Sequence, residues 1–456
     1  MFVAGCLLFQ ACSSGGEGLL FEEALQLPPS SLTIYPTASP EGAAGEMNTL
    51  SFKVTITEPQ ANDVSIRYQT IDDTATEGVD YFAASGEVII PAGSMQTSID
   101  IDLLGDADEE PAESFRLRIQ TTTNAIPTAT EIVGTIANDD SSCDSPYVKA
   151  QPNRWRVIDG DPLNYAHRGG VIDFPENTLY AYAEVAVAGA DVLEMDVYQT
   201  ADNELVILHD LDVDRTTNGT GNVVDLTLAE LQSLDAAYWF VPGEGTPHDR
   251  PAADYIFRGI ATGDKPPPVG YAAEDFRIPT LEQALQRFSA NLINVELKPD
   301  LDGDGDYELQ IATLLQRYGR FNDLIAASFV DEAASNFKAV SPCVHTSVPL
   351  DQGTAIVLGA LGPATMPPVP EHVAFQVPPD TSQISQIPED FFLEVVTPDF
   401  INDAHAVNLA VQVWTVNTCE EMLRMIDLGV DAIMTDRPIL LEDILNTPIA
   451  ERSCEQ

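Results

Sequence analysis

Basic residues are scarce in this 456-residue chain: 21 Lys and Arg stand against 72 Asp and Glu, a formal net charge of −51. A surface of that sign repels nucleic-acid backbones and anionic lipid headgroups, so neither is an expected partner. It suits bound cations or salty water, and most of its carboxylates are read as plain solvated surface. Long apolar runs are also missing. Beyond a short N-terminal stretch, nothing approaches the ~18 apolar residues of a membrane-spanning helix. Hydrophobic residues still make up 44% of the chain, enough for a sizeable core in two or three domains.

The first residues, MFVAGCLLFQACSSGGEG, hold an apolar run that ends in small residues and Cys12. This run resembles a bacterial lipoprotein signal covering residues 1–12, with cleavage before a lipid-bearing Cys12, although no basic residue precedes it. The resemblance implies export to the periplasm, outer membrane or cell surface, with the membrane contacted only through the lipid. Residues 13–29 are then a Gly/Ser-rich acidic spacer. Residues 30–141 read as all-β. Period-two alternation recurs in Leu32–Tyr35, Leu50–Val54, Val64–Tyr68, Glu87–Ile90, Ser98–Ile101 and Phe115–Ile119. About seven short strands in this length suggest a sandwich.

Residues 142–160 read as a linker. From 161 to 448 short β-rich runs alternate with helical ones over Asn177–Ala188, Leu281–Phe288, Tyr307–Tyr318, Asp331–Val340 and Thr418–Leu428. Such alternation implies a parallel sheet, and the length suits a closed TIM-type (β/α)8 barrel. Its strands are expected at Tyr165–Arg168, Val192–Val197, Ile293–Leu297, Ile325–Phe329, Val344–Val348, Val373–Val377, Val411–Val416 and Ala432–Thr435. Leu205–His209 follows Val197 too closely for a parallel crossover and is expected to fold back as a hairpin arm. The Gly/Pro-rich residues 241–277 are read as an insertion looping over the active face. A closed barrel brings its ends together, which suggests a Cys143–Cys454 disulfide with Cys343 and Cys419 paired or free. Three pairings nonetheless fit the sequence.

Chemistry-bearing residues gather at the ends of the first strands: His167-Arg168-Gly169, Glu194-Met195-Asp196, His209-Asp210 and Glu296-Leu297-Lys298. Residues i and i+2 of a strand share a face, so Glu194 with Asp196, and Glu296 with Lys298, point into the barrel. Three inward carboxylates call for a cation, and their oxygens suit Ca²⁺ or Mg²⁺. His167 and His209 are candidate proton carriers, since imidazole ordinarily titrates near neutrality. Arg168 and Lys298 offer positive charge to an anionic substrate. With Pro175-Glu176-Asn177-Thr178, Arg215-Thr216-Thr217-Asn218-Gly219, Trp414-Thr415-Val416-Asn417 and Thr435-Asp436-Arg437-Pro438, the second domain resembles the glycerophosphodiester phosphodiesterase family. The resemblance implies metal-dependent hydrolysis of glycerophosphodiesters to glycerol 3-phosphate and an alcohol. It implies Glu194, Asp196 and Glu296 as metal ligands and His167 and His209 as the acid/base pair. It also implies Arg168 and Lys298 at the phosphate, and Glu176, Phe329 and Trp414 near the substrate. Glu176-Asn177-Thr178 equally fits the cap of a helix.

The first domain carries Pro40-Glu41-Gly42, Thr76–Tyr81, Asp106–Phe115 and Ile136–Asp140, which together resemble the Calx-beta domain, a Greek-key sandwich binding Ca²⁺ at one end. The matching ligands are Glu41, Asp80, Asp106, Glu110, Glu113, Asp139 and Asp140. Gly105 stands where that family often has another acid. Asp300–Asp306 resembles the start of an EF-hand loop, but Ile311 replaces the closing Glu. Two other functions fit less well: a phosphoinositide or sphingolipid phosphodiesterase on the same barrel, and a non-enzymatic calcium-binding surface adhesin.

Overall fold

The computed structural model describes residues 30–143, 145–298, 306–360, 366, 369, 371–384 and 392–454. The signal and spacer of residues 1–29 lie outside the described residues, as does the EF-hand-like run except Asp306. Among the described residues no helix is long and apolar enough to cross a membrane.

The first domain has nine strands: β1 (Ser30–Ile34), β2 (Thr37–Pro40), β3 (Met47–Ile56), β4 (Val64–Asp72), β5 (Ser85–Ile90), β6 (Gln96–Leu104), β7 (Glu113–Thr123), β8 (Ala125–Pro127) and β9 (Glu131–Ala137). They form two sheets, β6-β3-β1-β8 and β2-β9-β7-β4-β5. Alternation sets the inner faces. Phe115, Leu117 and Ile119 of β7 are buried while Arg116, Arg118 and Gln120 face water. Strands β2 and β8, with 4 and 3 residues, are too short for alternation to reveal.

The second domain is a parallel barrel in the order β15-β14-β13-β11-β10-β18-β17-β16. Its strands are β10 (Leu163–Ala166), β11 (Val192–Gln199), β13 (Leu292–Leu297), β14 (Leu324–Ala327), β15 (His345–Thr346), β16 (Ala374–Val377), β17 (Ala410–Val413) and β18 (Ala432–Thr435). All eight overlap the runs expected from the sequence, with bounds that shift by a few residues. Strand β12 (Leu205–Ile207) pairs antiparallel with β11, as the hairpin reading requires. The ring is only nearly closed, because β15 and β16 meet through the single bridge Ser347–Ala374. The five expected helices are α1 (Leu179–Ala188), α3 (Leu281–Arg287), α4 (Asp306–Arg317), α5 (Asp331–Val340) and α8 (Cys419–Leu428). Short α2 (Leu228–Leu231), α6 (Leu350–Ala360), α7 (Pro398–Ala406) and α9 (Pro438–Asn446) add to them. Pro398 and Pro438 open α7 and α9, at a first-turn position that needs no N–H.

Two expectations are corrected, and a third holds for only part of its segment. The disulfides are Cys143–Cys343 and Cys419–Cys454, not a Cys143–Cys454 staple. Cys143 meets the loop ahead of β15, where Tyr147 N–H also donates to Pro342 O. Residues 142–160 do not hang as a linker: Trp155 is fully buried and packs on Val192, Ile325, Ala374, Ala410 and Ala432, closing the N-terminal end of the barrel. Residues 241–277 meet the active face only at their start: Gly243 N–H donates to Ile172 O, and Thr246 and His248 contact Arg215 behind His209. Aromatics draw the later part sideways, with Tyr271, Phe257 and Phe276 packing on Tyr180 of α1. From there they reach the sandwich, where Tyr35 O–H donates to Gly270 O at 3.1 Å and Lys53 pairs with Glu274 at 3.2 Å.

The closed end of the barrel carries a pH liability. Trp155 Nε1–H donates to His345 Nδ1 at 2.8 Å, and burial pushes His345 down to about 3 and His372 down to about 4. Both values lie below those of an unfolded imidazole, so their contribution to stability is complete above about pH 6.5 and is lost as pH falls toward 4. His345→Gln keeps an acceptor for Trp155 and removes one proton site. Calorimetric scans from pH 6.5 to 4.5 will show a smaller fall in Tm for this variant than for the wild type; parallel curves would contradict the assignment.

Candidate active site

The chain leaves β10 at Ala166 and turns at once. His167–Gly169 forms one turn of 3-10 helix, so the first strand ends two residues earlier than expected. Arg168 is held in the left-handed region at φ 53°. The neighbours impose this strain: Arg168 N–H donates to Glu194 Oε2 at 2.8 Å, and Arg168 O accepts from Asn177 N–H at 2.8 Å. The turn aims His167 into the barrel mouth. Its Nδ1 lies 2.6 Å from Asp436 Oδ1, and the other carboxylate oxygen of Asp436 accepts from Asn417 Nδ2 at 2.6 Å. Asp436 is partly buried, and its hydrogen bond to His167 overcomes the desolvation and keeps its carboxyl below the usual range.

His209 ends the hairpin arm and has a matching support. Its Nδ1 lies 2.6 Å from Asp210 Oδ1. Arg215 Nε donates to Asp210 Oδ2 at 2.5 Å, and the same guanidinium grips Glu176 through two bonds of 2.6 and 2.8 Å. Burial opposes ionisation of Asp210 and Glu176, but these bonds hold both carboxyls below their ordinary values. Each imidazole is thus fixed through Nδ1, leaving Nε2 for proton transfer. The helix cap is Thr178, whose hydroxyl accepts from Ala181 N–H, so Glu176 is free of that task.

Glu194, Asp196 and Glu296 converge as the pleat requires. β11 and β13 pair with Asp196 opposite Glu296, and one oxygen from each of the three carboxylates lies within 4.8 Å of the others. Burial raises Glu194 well above its ordinary value, and Asp196 and Glu296 push it further. Burial likewise raises Glu296, against the pull of Lys298. Asp196 is buried too but is held low by Lys298 at 2.8 Å and Arg168 at 3.4 Å. Two crowded, raised carboxyls beside a third ionised one fit a hard divalent cation, whose charge would keep all three ionised.

These groups open onto a cavity of about 260 Å³. His167, Arg168, Glu194, His209 and Glu296 line its reactive side, and Phe329 and Trp414 line the opposite side. The two rings meet edge-on at 5.2 Å, and Phe329 is 43% exposed, so it stands at the mouth and not in the core. Asp196, Lys298 and Glu176 stand behind the lining. Lys298 is spent on Asp196 and Glu296, the latter at 2.6 Å. Sequence reasoning assigned no role to Asp210, Arg215, Asn417 or Asp436, although all four sit inside motifs it singled out.

At the sandwich tip all seven carboxylates read from the sequence come together. They form three overlapping groups: Glu41-Asp106-Glu110, Glu41-Asp139-Asp140 and Asp80-Glu110-Glu113. Burial and then mutual repulsion push Glu41 up to about 7; Glu113 also rises to about 7, through burial and its hydrogen bond to Asp80. Glu113 Oε2 and Asp140 Oδ2 are buried without a hydrogen-bond partner. Gly105 has a steric reason: a Cβ there would stand 2.1 Å from Gly42 O, so no acid fits.

A parallel barrel with two carboxylate-held histidines and an acidic cluster at its C-terminal mouth is built as a hydrolase of anionic esters. Residues 167–440 match the glycerophosphoryl diester phosphodiesterase family, and residues 42–140 match the Calx-beta domain. The chain therefore belongs to the glycerophosphoryl diester phosphodiesterase family and is an enzyme, with a Calx-beta domain ahead of its catalytic barrel. It is 30% identical over 285 residues to a glycerophosphodiester phosphodiesterase of Caldanaerobacter subterraneus, covering 62% of this chain and 97% of that one. It is 28% identical over 288 residues to a glycerophosphodiester phosphodiesterase of Bacillus subtilis, covering 62% and 86%. The crystal structure of a glycerophosphodiester phosphodiesterase from Agrobacterium tumefaciens shares 24% identity over 62% of this chain and 100% of that one, with a TM-score of 0.45.

Proposed function

We propose that this enzyme hydrolyses glycerophosphodiesters to glycerol 3-phosphate and an alcohol, with His167 and His209 as its acid/base pair. The observation that carries the reading is the pairing His167–Asp436 and His209–Asp210, both at 2.6 Å, with both imidazoles lining the cavity that Glu194 and Glu296 also line. Glu194, Asp196 and Glu296 would hold a divalent cation, Ca²⁺ or Mg²⁺, which supplies Lewis-acid charge to the phosphoryl oxygens when bound. Arg168 adds a fixed positive charge at the cavity wall. One imidazole takes the proton of the nucleophile, either water or the neighbouring glycerol hydroxyl, through Nε2, and the other gives a proton to the departing alkoxide; in the second case water then opens the cyclic phosphate to give glycerol 3-phosphate. Asp436 and Asp210 hold the rings in place and favour the charged imidazolium that each step creates. Lys298 balances the charge of Asp196 and Glu296 from behind, which supports a structural part beside any phosphate contact.

The Calx-beta tip would bind Ca²⁺ through Glu41, Asp80, Asp106, Glu110, Glu113, Asp139 and Asp140. Two disulfides favour an oxidising compartment, which supports export. Release of glycerol 3-phosphate from glycerophosphocholine, measured with EDTA, Ca²⁺ or Mg²⁺, tests the reaction. Release lost in EDTA and restored by a cation supports it; no release under any metal from folded protein overturns it.

A further inference from the structure

We propose that the floor of the barrel cavity reads the terminal hydroxyl of an unacylated glycerol, through Asn294 and Gln376. The proposal rests on the phosphodiesterase reading and names the part of the substrate that enters deepest. Asn294 precedes Glu296 by two residues on the same face of β13 and lies opposite Glu194 in the β11 register. It therefore sits one layer below the Asp196–Glu296 pair. Gln376 comes from β16 across the barrel, and both amides line the cavity.

A chain of hydrogen bonds ties together how these amides face; turning all three over at once swaps their roles and still leaves one donor and one acceptor free. Gln376 Nε2 donates to Asn294 Oδ1 at 2.6 Å and to Gln412 Oε1 at 2.9 Å. Gln412 Nε2 donates in turn to Tyr165 O–H at 2.7 Å. Asn294, Gln412 and Tyr165 are buried. An amide offers two N–H donors and one carbonyl. Gln376 has spent both donors and keeps Oε1 as an acceptor. Asn294 has committed Oδ1 and keeps Nδ2 as a donor. A donor and an acceptor thus stand side by side on the floor. A hydroxyl, which donates and accepts at once, satisfies both. An alkyl or acyl group would strand both amides without partners, a state that buried polar groups strongly disfavour. The floor so read selects the glycerol of the proposed glycerophosphodiester substrates, with the glycerol end down and the alcohol toward Phe329 and Trp414.

The test uses the full chain in calcium and calorimetric binding of two probes. Glycerol 3-phosphate carries the terminal hydroxyl, and propane-1,2-diol 1-phosphate lacks only that group. The wild type is expected to prefer glycerol 3-phosphate by about tenfold, and Gln376→Met and Asn294→Leu to bring the ratio near one. Equal binding of the two probes by the wild type overturns the proposal without recourse to any variant. So does a preference that survives in both folded variants. If the binding preference holds while glycerophosphocholine is not turned over, the phosphodiesterase reading fails and the hydroxyl-reading floor stands.

Discussion

Replacing His167 or His209 with alanine will lower kcat on glycerophosphocholine by about 10²- to 10⁴-fold, the usual worth of a positioned acid or base. Cation binding in the barrel will survive, because neither imidazole belongs to the Glu194-Asp196-Glu296 group. The two effects will not add in the double variant, since both residues serve one proton circuit. Asp436→Asn and Asp210→Asn will also cost heavily, up to about 10⁴-fold, because an amide that donates to Nδ1 holds the wrong tautomer and supplies no charge to stabilise an imidazolium. Glu194→Gln gives the contrasting result: cation affinity falls together with rate. Isothermal titration with Ca²⁺ beside steady-state rates separates the two classes. Rates near wild type in both histidine variants would remove them from the mechanism.

Calcium will raise the Tm of the whole protein, and more strongly at pH 7.5 than at pH 5. The cause lies in the sandwich tip, where Glu41 and Glu113 are raised to about 7. Without a cation, these carboxyls hold protons more tightly in the folded than in the unfolded chain. Their stabilising contribution is therefore present below about pH 4.5 and lost as pH rises through about 7. A bound cation reverses the penalty, but it competes with protons and so acts best once the carboxyls are ionised. At a free concentration one hundred times Kd, a single site contributes about 2.7 kcal/mol. Asp139→Asn with Asp140→Asn will shrink the calcium shift while leaving the barrel ligands intact. A Tm indifferent to calcium at pH 7.5 would leave the tip a purely structural feature.

The reach of the insertion bears on substrate choice. Residues 241–277 contribute nothing to the cavity lining; they contact Tyr180, Arg215 and the sandwich. The insertion therefore lends no support to a phosphoinositide or sphingolipid reading. The adhesin reading loses ground for another reason: the intact histidine–carboxylate pairs belong to an enzyme family.

Much of this was legible in the sequence because it depends on local periodicity. Every barrel strand and the hairpin arm follow from runs of β-rich residues and the spacing between them. The inward stance of Glu194, Asp196 and Glu296 follows from the period of the pleat. Three kinds of fact escaped. The partners of the histidines, Asp436 and Asp210, are carboxylates like any other until the fold brings Asp436 back 269 residues to His167. The amide floor rests on single Gln residues in otherwise apolar strands, Ala374-Phe375-Gln376-Val377 and Ala410-Val411-Gln412-Val413, and no period flags one residue. Disulfide partners, the buried stance of Trp155 and the sideways course of the insertion depend on which surfaces happen to meet. Sequence alone determined the two domains, the barrel and the residues that face its mouth, since spacing along a strand dictates direction. Only the tertiary structure decided which groups touch, because hydrogen bonds, ion pairs and S–S bonds form by distance in space and not by distance along the chain.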